Sequence, residues 1–200
     1  MLILASNSVT RKSLLEKAGL DFAVSPAAID ERGIETEATS AGADSRDLAL
    51  LLSQRKAEAV SANHPGAIVI GADQVLSLGL EVLHKPETLD DARTQLGRLA
   101  GRTHRLHAAV SLVRDNQLLW SHLETAELTM RAFSASERDQ VLAQEGDAVL
   151  GSVGAYRLEG PSIRLFETVS GDYFTILGLP LLPLLAALRD MAPELLSPKG

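Results

Sequence analysis

The sequence contains no cysteine. Disulfide bonds, thiolate zinc sites and cysteine nucleophiles are excluded with it. Basic charge is in deficit: 19 lysines and arginines stand against 26 acidic residues, a formal net charge of −7. That balance argues against sequence-independent binding to DNA or RNA, which rests on cations meeting the phosphate backbone. A small polyanion is a different case, because a local cluster of cations, a metal ion or helix N-termini can hold it. Long apolar runs are also missing. The longest, residues 176–188, is interrupted by Gly178, Pro180 and Pro183 and is shorter than the ~20 residues that span a bilayer. No membrane partner is expected. The opening MLILASNSVTRKSLLEKAG lacks the basic leader, full apolar core and small-residue cleavage site of a secretory signal, so the expected location is the cytoplasm.

Familiar catalytic motifs are absent too. No G-x-S-x-G elbow occurs. His64, His84, His104, His107 and His122 form no H-E-x-x-H arrangement and read as surface or strand residues. The glycines and lysine of a P-loop are not found either.

What is present is 200 residues, 46% of them apolar, enough for the core of one domain spanning residues 1–200. Residues 2–5 suit a buried strand, and residues 10–18 a helix stopped by Gly19. Residues 22–25 read as a second strand, residues 26–40 as polar and turn-rich, and residues 44–62 as a strong helix. The run AIVIGA at residues 67–72 predicts a buried strand that places Asp73 at its end. A helix over 90–100 follows, then two strands over 104–114 and 117–131 around Asp115-Asn116. Ser134 and Glu137 form a candidate capping box for a helix reaching about residue 144. Strands over 155–158 and 163–169 and a last helix over 179–190 complete an α/β fold with a mixed sheet.

Ser6-Asn7-Ser8-Val9-Thr10-Arg11 lies between the first strand and the first helix. Hydroxyls, helix amides and a guanidinium can converge there on phosphate oxygens, although local pattern alone favours a plain helix cap. Asp73 is positioned for a metal ligand or general base, or for capping a turn. The Asp30-Glu31 pair, Lys56 and Lys85 supply further charges at element boundaries. Taken singly, Lys56 reads as a solvated helix lysine and Lys85 as a loop charge.

In order, LILASNSVTRKSLLEKAG, the Asp30-Glu31 pair, QRKAEAV, VIGADQVL, HKPETLDDARTQLGRLAGRTH, GAYRLEG and VSGDYFTILGLPL resemble the Maf family over nearly the whole chain. The resemblance implies an elongated α/β fold, a mixed sheet flanked by helices with a central cleft, similar to inosine triphosphate pyrophosphatases, and a homodimer. It implies hydrolysis of nucleoside triphosphates to monophosphate and pyrophosphate with magnesium or manganese. The family's S-x-S-x-x-R substrate-binding loop falls on Ser6, Ser8 and Arg11, its metal-associated glutamate on Glu31, and its catalytic lysines on Lys56 and Lys85. The proton acceptor falls on Asp73.

The family's specificity positions fall on Thr10, Gln74 and Glu159. Glutamine and glutamate at the last two mark the branch active on 7-methyl-GTP, and a glutamate can accept from the N1–H and amine of guanine. That branch usually has tryptophan, a residue able to stack on a cationic base, at the position of Thr10 in this chain. Gly151 and Ser152 replace two charged residues of many relatives, and Ala108 replaces a threonine. The charges missing at Gly151 and Ser152 leave open a nucleotide-binding protein with impaired catalysis, and the family's link to inhibition of cell division leaves open an interaction protein at the septum.

Overall fold

The computed structural model describes residues 1–196, so the last four residues of the expected domain lie outside it. Strand β1 (Leu2–Leu4) leads into helix α1 (Val9–Lys17) and strand β2 (Ala23–Val24); helices α2 (Glu31–Ser40) and α3 (Ser45–Ser61) follow. Strands β3 (Ile68–Leu78) and β4 (Glu81–Leu83) come next, then helix α4 (Leu89–Leu99) and the hairpin of β5 (Thr103–Arg114) and β6 (Gln117–Met130). Helix α5 (Ala135–Glu145), strand β7 (Phe166–Ser170), the single turn α6 (Tyr173–Ile176) and helix α7 (Leu181–Met191) complete the order. The seven strands form one sheet in the order β2-β1-β3-β5-β6-β7, with β4 paired to β3. Strand β1 is parallel to both β2 and β3, whereas β4 and β7 are antiparallel to β3 and β6. The α/β fold with a mixed sheet and flanking helices is therefore as the sequence predicts. Among the described residues, no helix is long and apolar enough to cross a membrane.

The chain divides into two compact units. The first comprises Met1–Gln74, Ala108–Glu124 and the described residues from Tyr173 to Leu196. Its strands carry apolar side chains on both faces, as parallel strands with helices on each side require. Leu2, Leu4, Ile68, Ile70 and Ala72 pack with α1 and α7 through Leu14, Leu15, Leu184 and Leu188. The alternate residues Ile3, Ala5, Ala67 and Val69 pack with Ala57 and Val60 of α3. With a side-chain period of two, positions 69, 71 and 73 all point toward α3.

The second unit comprises Val75–His107 and Thr125–Asp172. Its helices start on full capping boxes: Thr88 with Asp91 for α4, and Ser134 with Glu137 for α5 as the sequence predicts. Its core holds His104, which is 1% exposed. His104 Nε2 is 2.7 Å from the Tyr156 hydroxyl, and both rings pack against Phe166. Burial pushes His104 down to about 4 and pushes the Tyr156 phenol up.

Four expectations change. The stretch 26–40 is not all turn: Asp30 caps α2 by accepting from Gly33 N at 3.0 Å, and Glu31 lies in its first turn. Only Ala38 of that helix is buried, so no apolar stripe marked it. Strand β3 does not stop at Ala72 but continues through Asp73 to Leu78, because the carboxylate finds a cationic partner inside the fold. Residues 155–158 form no strand: Ala155 has φ of 59°, and the Tyr156 ring folds back over Gly154 where a Cβ would collide with it. Residues 163–165 belong to a 3-10 turn (Pro161–Leu165), which leaves only Phe166–Ser170 as strand. Strand β4 and the turn α6 were not foreseen. Asp115 and Asn116 do form the two-residue hairpin turn, with φ of 51° and 61°.

His104 makes stability depend on pH. Its folded value of about 4 lies below the ordinary 6.5, so the unfolded chain takes up the proton first as pH falls. Its contribution is complete above about pH 6.5 and is lost as pH falls toward about 4, by about 3 kcal/mol in all. Urea denaturation between pH 4 and 7 is expected to show a shallower pH dependence in His104→Gln than in the wild type; parallel curves would contradict this.

Candidate active site

The first unit's sheet reverses its winding at β1, since the chain passes to β2 on one side and later to β3 on the other. The crevice beyond the carboxyl end of such a strand is where ligands bind in open α/β sheets. Ser6 to Arg11 occupy that place. Ser8 caps α1, its Oγ accepting from Arg11 N at 3.3 Å, so the cap suggested by local pattern is real. Ser6 is not a cap. Its buried Oγ accepts from Ser8 N at 3.2 Å and from Arg11 Nη1 at 3.3 Å. Arg11 Nε donates to Gly178 O at 2.8 Å. Desolvation lowers the Arg11 pKa, while Asp73 and Glu31 act in the opposite sense. The guanidinium stays charged, and both carboxylates favour that charge.

Lys56 is not the solvated lysine its helix position suggests. It lies on the stripe Ser53, Lys56, Ala57, Val60 of α3, the face turned to the sheet, and is 9% exposed. Its Nζ is 2.6 Å from Oδ1 of Asp73, which is 7% exposed, and 2.9 Å from Oε2 of the exposed Glu31. Gly71 makes this reach feasible: a Cβ there would collide with Ser53 O and lie 2.8 Å from Ala57 Cβ. With glycine, α3 rests directly on the backbone of β3, and Lys56 extends over the next inward-facing position, Asp73.

Two carboxylate oxygens thus converge on one cationic point. Such hard oxygen donors suit magnesium or manganese. Among the described residues, no three of His, Cys, Asp and Glu gather into a metal cage. A divalent ion held here would complete its shell with water and phosphate oxygens, as magnesium commonly does.

Gln74, one residue beyond Asp73, uses both amide hydrogens on the main chain, donating to Thr175 O and Ile176 O at 3.0 Å each. What it can offer a ligand is its carbonyl Oε1, an acceptor. The buried Thr175 in turn donates its hydroxyl to Glu124 on β6. Gly178, with φ of 90°, brings its carbonyl round to Arg11. Ser6, Ser8, Arg11, Glu31, Lys56, Asp73 and Gln74 therefore share the first unit, and Thr10 sits in the first turn of α1. Sequence reasoning missed Gly71, Glu124, Thr175 and Gly178. Gly71 had a signal, an isolated glycine within a run of branched strand residues.

Lys85 and Glu159 belong to the second unit. Lys85 is exposed beside a cavity of about 400 Å³ that His84, Gln95 and Arg98 also line. Glu159 lies 3.5 Å from Arg157 Nε.

A loop of serines and a half-buried arginine at the sheet's switch point, with a buried lysine-carboxylate cluster in the same unit, places the chain in the class of α/β proteins whose ligands bind at that crevice. Residues 1–191 match the family model of Maf-like proteins, and the chain belongs to the Maf family. It is 51% identical over 188 residues to the 7-methyl-GTP pyrophosphatase of Brucella suis biovar 1 (strain 1330), covering 94% of each chain. It is 52% identical over 190 residues to the 7-methyl-GTP pyrophosphatase of Rhizobium johnstonii (strain DSM 114642 / LMG 32736 / 3841), covering 95% of this chain and 96% of the relative. It is 53% identical over 189 residues to the nucleoside triphosphate pyrophosphatase of Bradyrhizobium diazoefficiens (strain JCM 10833 / BCRC 13528 / IAM 13628 / NBRC 14792 / USDA 110), covering 94% and 93%.

Removing Lys56 leaves Asp73 buried without its cation. Lys56→Met is expected to lower the unfolding free energy by about 3 kcal/mol, the scale for breaking a buried pair from one side. Most of this belongs to Asp73, because Glu31 is solvated. In urea denaturation, adding Asp73→Asn to Lys56→Met should recover part of the loss; strictly additive losses would mean the two charges are not coupled.

Proposed function

We propose that residues 1–200 work as one pyrophosphatase domain that hydrolyses nucleoside triphosphates to the monophosphate and pyrophosphate, with a guanine base such as that of 7-methyl-GTP preferred. The observation that carries this reading is Lys56 Nζ set between Asp73 Oδ1 and Glu31 Oε2, beside the charged Arg11. The family match along residues 1–191 and the names of the relatives point the same way. The cytoplasm is the proposed location.

In this mechanism Asp73 takes the proton of a water whose oxygen attacks the α-phosphorus, using the oxygen that Lys56 does not hold. The bond from the α-phosphorus to the bridging oxygen breaks, and pyrophosphate leaves with the electron pair. Arg11 and Lys56 oppose the negative charge that grows on the phosphate oxygens, and Lys85 does so on the leaving pyrophosphate. Ser6, Ser8 and the first amides of α1 position the phosphates by hydrogen bonding. Glu31 would hold a magnesium or manganese ion, which when bound neutralises phosphate charge and orients the substrate. Positioning and electrostatics account for most of such a reaction.

Base choice falls to Gln74 and Glu159. Glu159 is an acceptor-only group suited to the donors of guanine, and Gln74 presents its carbonyl. Thr10 lacks an aromatic face, so discrimination between GTP and 7-methyl-GTP would be narrower than with a stacking tryptophan.

The test is release of pyrophosphate, measured against orthophosphate, from a panel of nucleoside triphosphates with magnesium or manganese. Asp73→Asn should retain the fold and lower kcat by at least about a hundredfold. Orthophosphate as the product, or full activity in Asp73→Asn, would overturn the reading. Gln74→Thr with Glu159→Gln should move preference toward UTP and dTTP; an unchanged ranking would remove both residues from base choice.

A further inference from the structure

Two residues before Glu159, Arg157 lies between two carboxylates of the second unit. Its Nη1 is 3.6 Å from Oε2 of Glu145, and its Nε is 3.5 Å from Oε1 of Glu159. The two carboxylates differ in kind. The Glu145 side chain is 0% exposed, and its Oε1 accepts from Ser162 N at 2.9 Å and Ser162 Oγ at 2.7 Å. Gly160 allows this loop to pass, since a Cβ there would lie 2.5 Å from Glu145 Oε1. Oε2 of Glu145 has no hydrogen-bond partner among the described residues. The side chain of Glu159, by contrast, is 34% exposed.

A buried carboxylate oxygen without a donor is unfavourable unless a cation stands beside it. Arg157 is that cation, and the requirement fixes where its guanidinium sits. On its other side the same group restrains Glu159, whose carboxylate would otherwise turn freely about three torsions. Both separations are longer than a good hydrogen bond, so the guanidinium keeps donors for a ligand.

We propose that Arg157 is a specificity-determining residue: anchored on Glu145, it directs the Glu159 carboxylate toward the donor edge of a guanine base and sets that edge against uracil. Guanine presents N1–H and an exocyclic amine side by side, two donors for the two oxygens of a carboxylate. Its O6, next to N1–H, is an acceptor for the remaining donors of Arg157. Uracil has one N–H between two carbonyls, so a fixed carboxylate that takes the N–H meets a carbonyl oxygen with its other oxygen. Two carboxylates against one guanidinium also leave the cluster with an excess negative charge, which favours a cationic purine such as 7-methylguanine.

This inference rests on the base-selective reading of Glu159, and its test separates binding from cleavage. The probes are the α,β-methylene analogues of GTP and UTP, which cannot be cut between the α- and β-phosphates; their Kd values are measured by calorimetry. The wild type should favour the guanine analogue, and Arg157→Gln should reduce that preference about tenfold. Arg157→Lys, which keeps the charge without the fork, should restore part of it. Adding Glu159→Gln to Arg157→Gln should remove little more, because the two act as a unit. An unchanged ratio in Arg157→Gln, with both ligands weakened alike, would reduce Arg157 to a structural partner of Glu145 and overturn the proposal. If Arg157→Gln does not fold, Glu145→Gln decides instead: it keeps an acceptor for Ser162 but removes the anchoring charge. A lowered guanine preference there supports the proposal and an unchanged one overturns it. A wild type that favours the guanine analogue yet releases no pyrophosphate from GTP would overturn the pyrophosphatase reaction and leave the present proposal standing, whereas a wild type without guanine preference would overturn the present proposal together with the base preference it rests on and leave the pyrophosphatase reaction standing.

Discussion

Taking Lys56 and Asp73 out of water is unfavourable for each, and their approach to 2.6 Å offsets that only while both keep their positions. The surrounding structure meets this requirement from two directions. Helix α3 supplies the lysine from its sheet-facing stripe, and β3 supplies the aspartate at the inward position after Val69 and Gly71. A charged residue in the interior of an eleven-residue strand is tolerated because its partner arrives from the layer above. The exposed Glu31 then joins from the first turn of α2, where a carboxylate also complements the helix dipole. A cluster of one ammonium and two carboxylates is thus tied to three separate elements.

The other half of the first unit's site is held by main-chain carbonyls. Arg11 is fixed through Gly178 O, and Gln74 through the carbonyls of Thr175 and Ile176. One short segment, from α6 to Gly178, thereby positions Arg11 and the neighbour of Asp73 together. Thr175 closes this arrangement from below by donating to Glu124. Carbonyl acceptors carry no charge of their own. They set the direction of Arg11 without neutralising it.

How much of this was legible in the sequence depended on how the signal is encoded. The core strands and α3, α4 and α5 were legible because periodicity, capping residues and Gly stops are local. Helix α2 was not, since its apolar face is reduced to Ile34 and Ala38 and its only firm mark is the Asp30 cap. The strand placed over 155–158 failed because the positive φ of Ala155 follows from packing of Tyr156 on Gly154, a contact that no propensity reports. The residue types of the site were legible from ordered motifs. Lys56 as a buried ion-pair partner was not, because burial is decided by which face of α3 meets the sheet. Glu145 and Arg157 lie twelve residues apart, and only the fold of the intervening loop shows that they share a charge balance.

The close approach of α3 to β3 at Gly71 has a meaning for the protein's history. Glycine is the smallest residue the genetic code offers, so every codon change that alters position 71 adds a carbon where Ser53 O already lies. Drift at this position has nowhere to go unless the helix moves first, and the helix cannot move without withdrawing Lys56 from Asp73. The position is closed in sequence space although it takes no part in chemistry, and its neighbour Ala57, whose Cβ lies against it, inherits the same confinement to a small side chain.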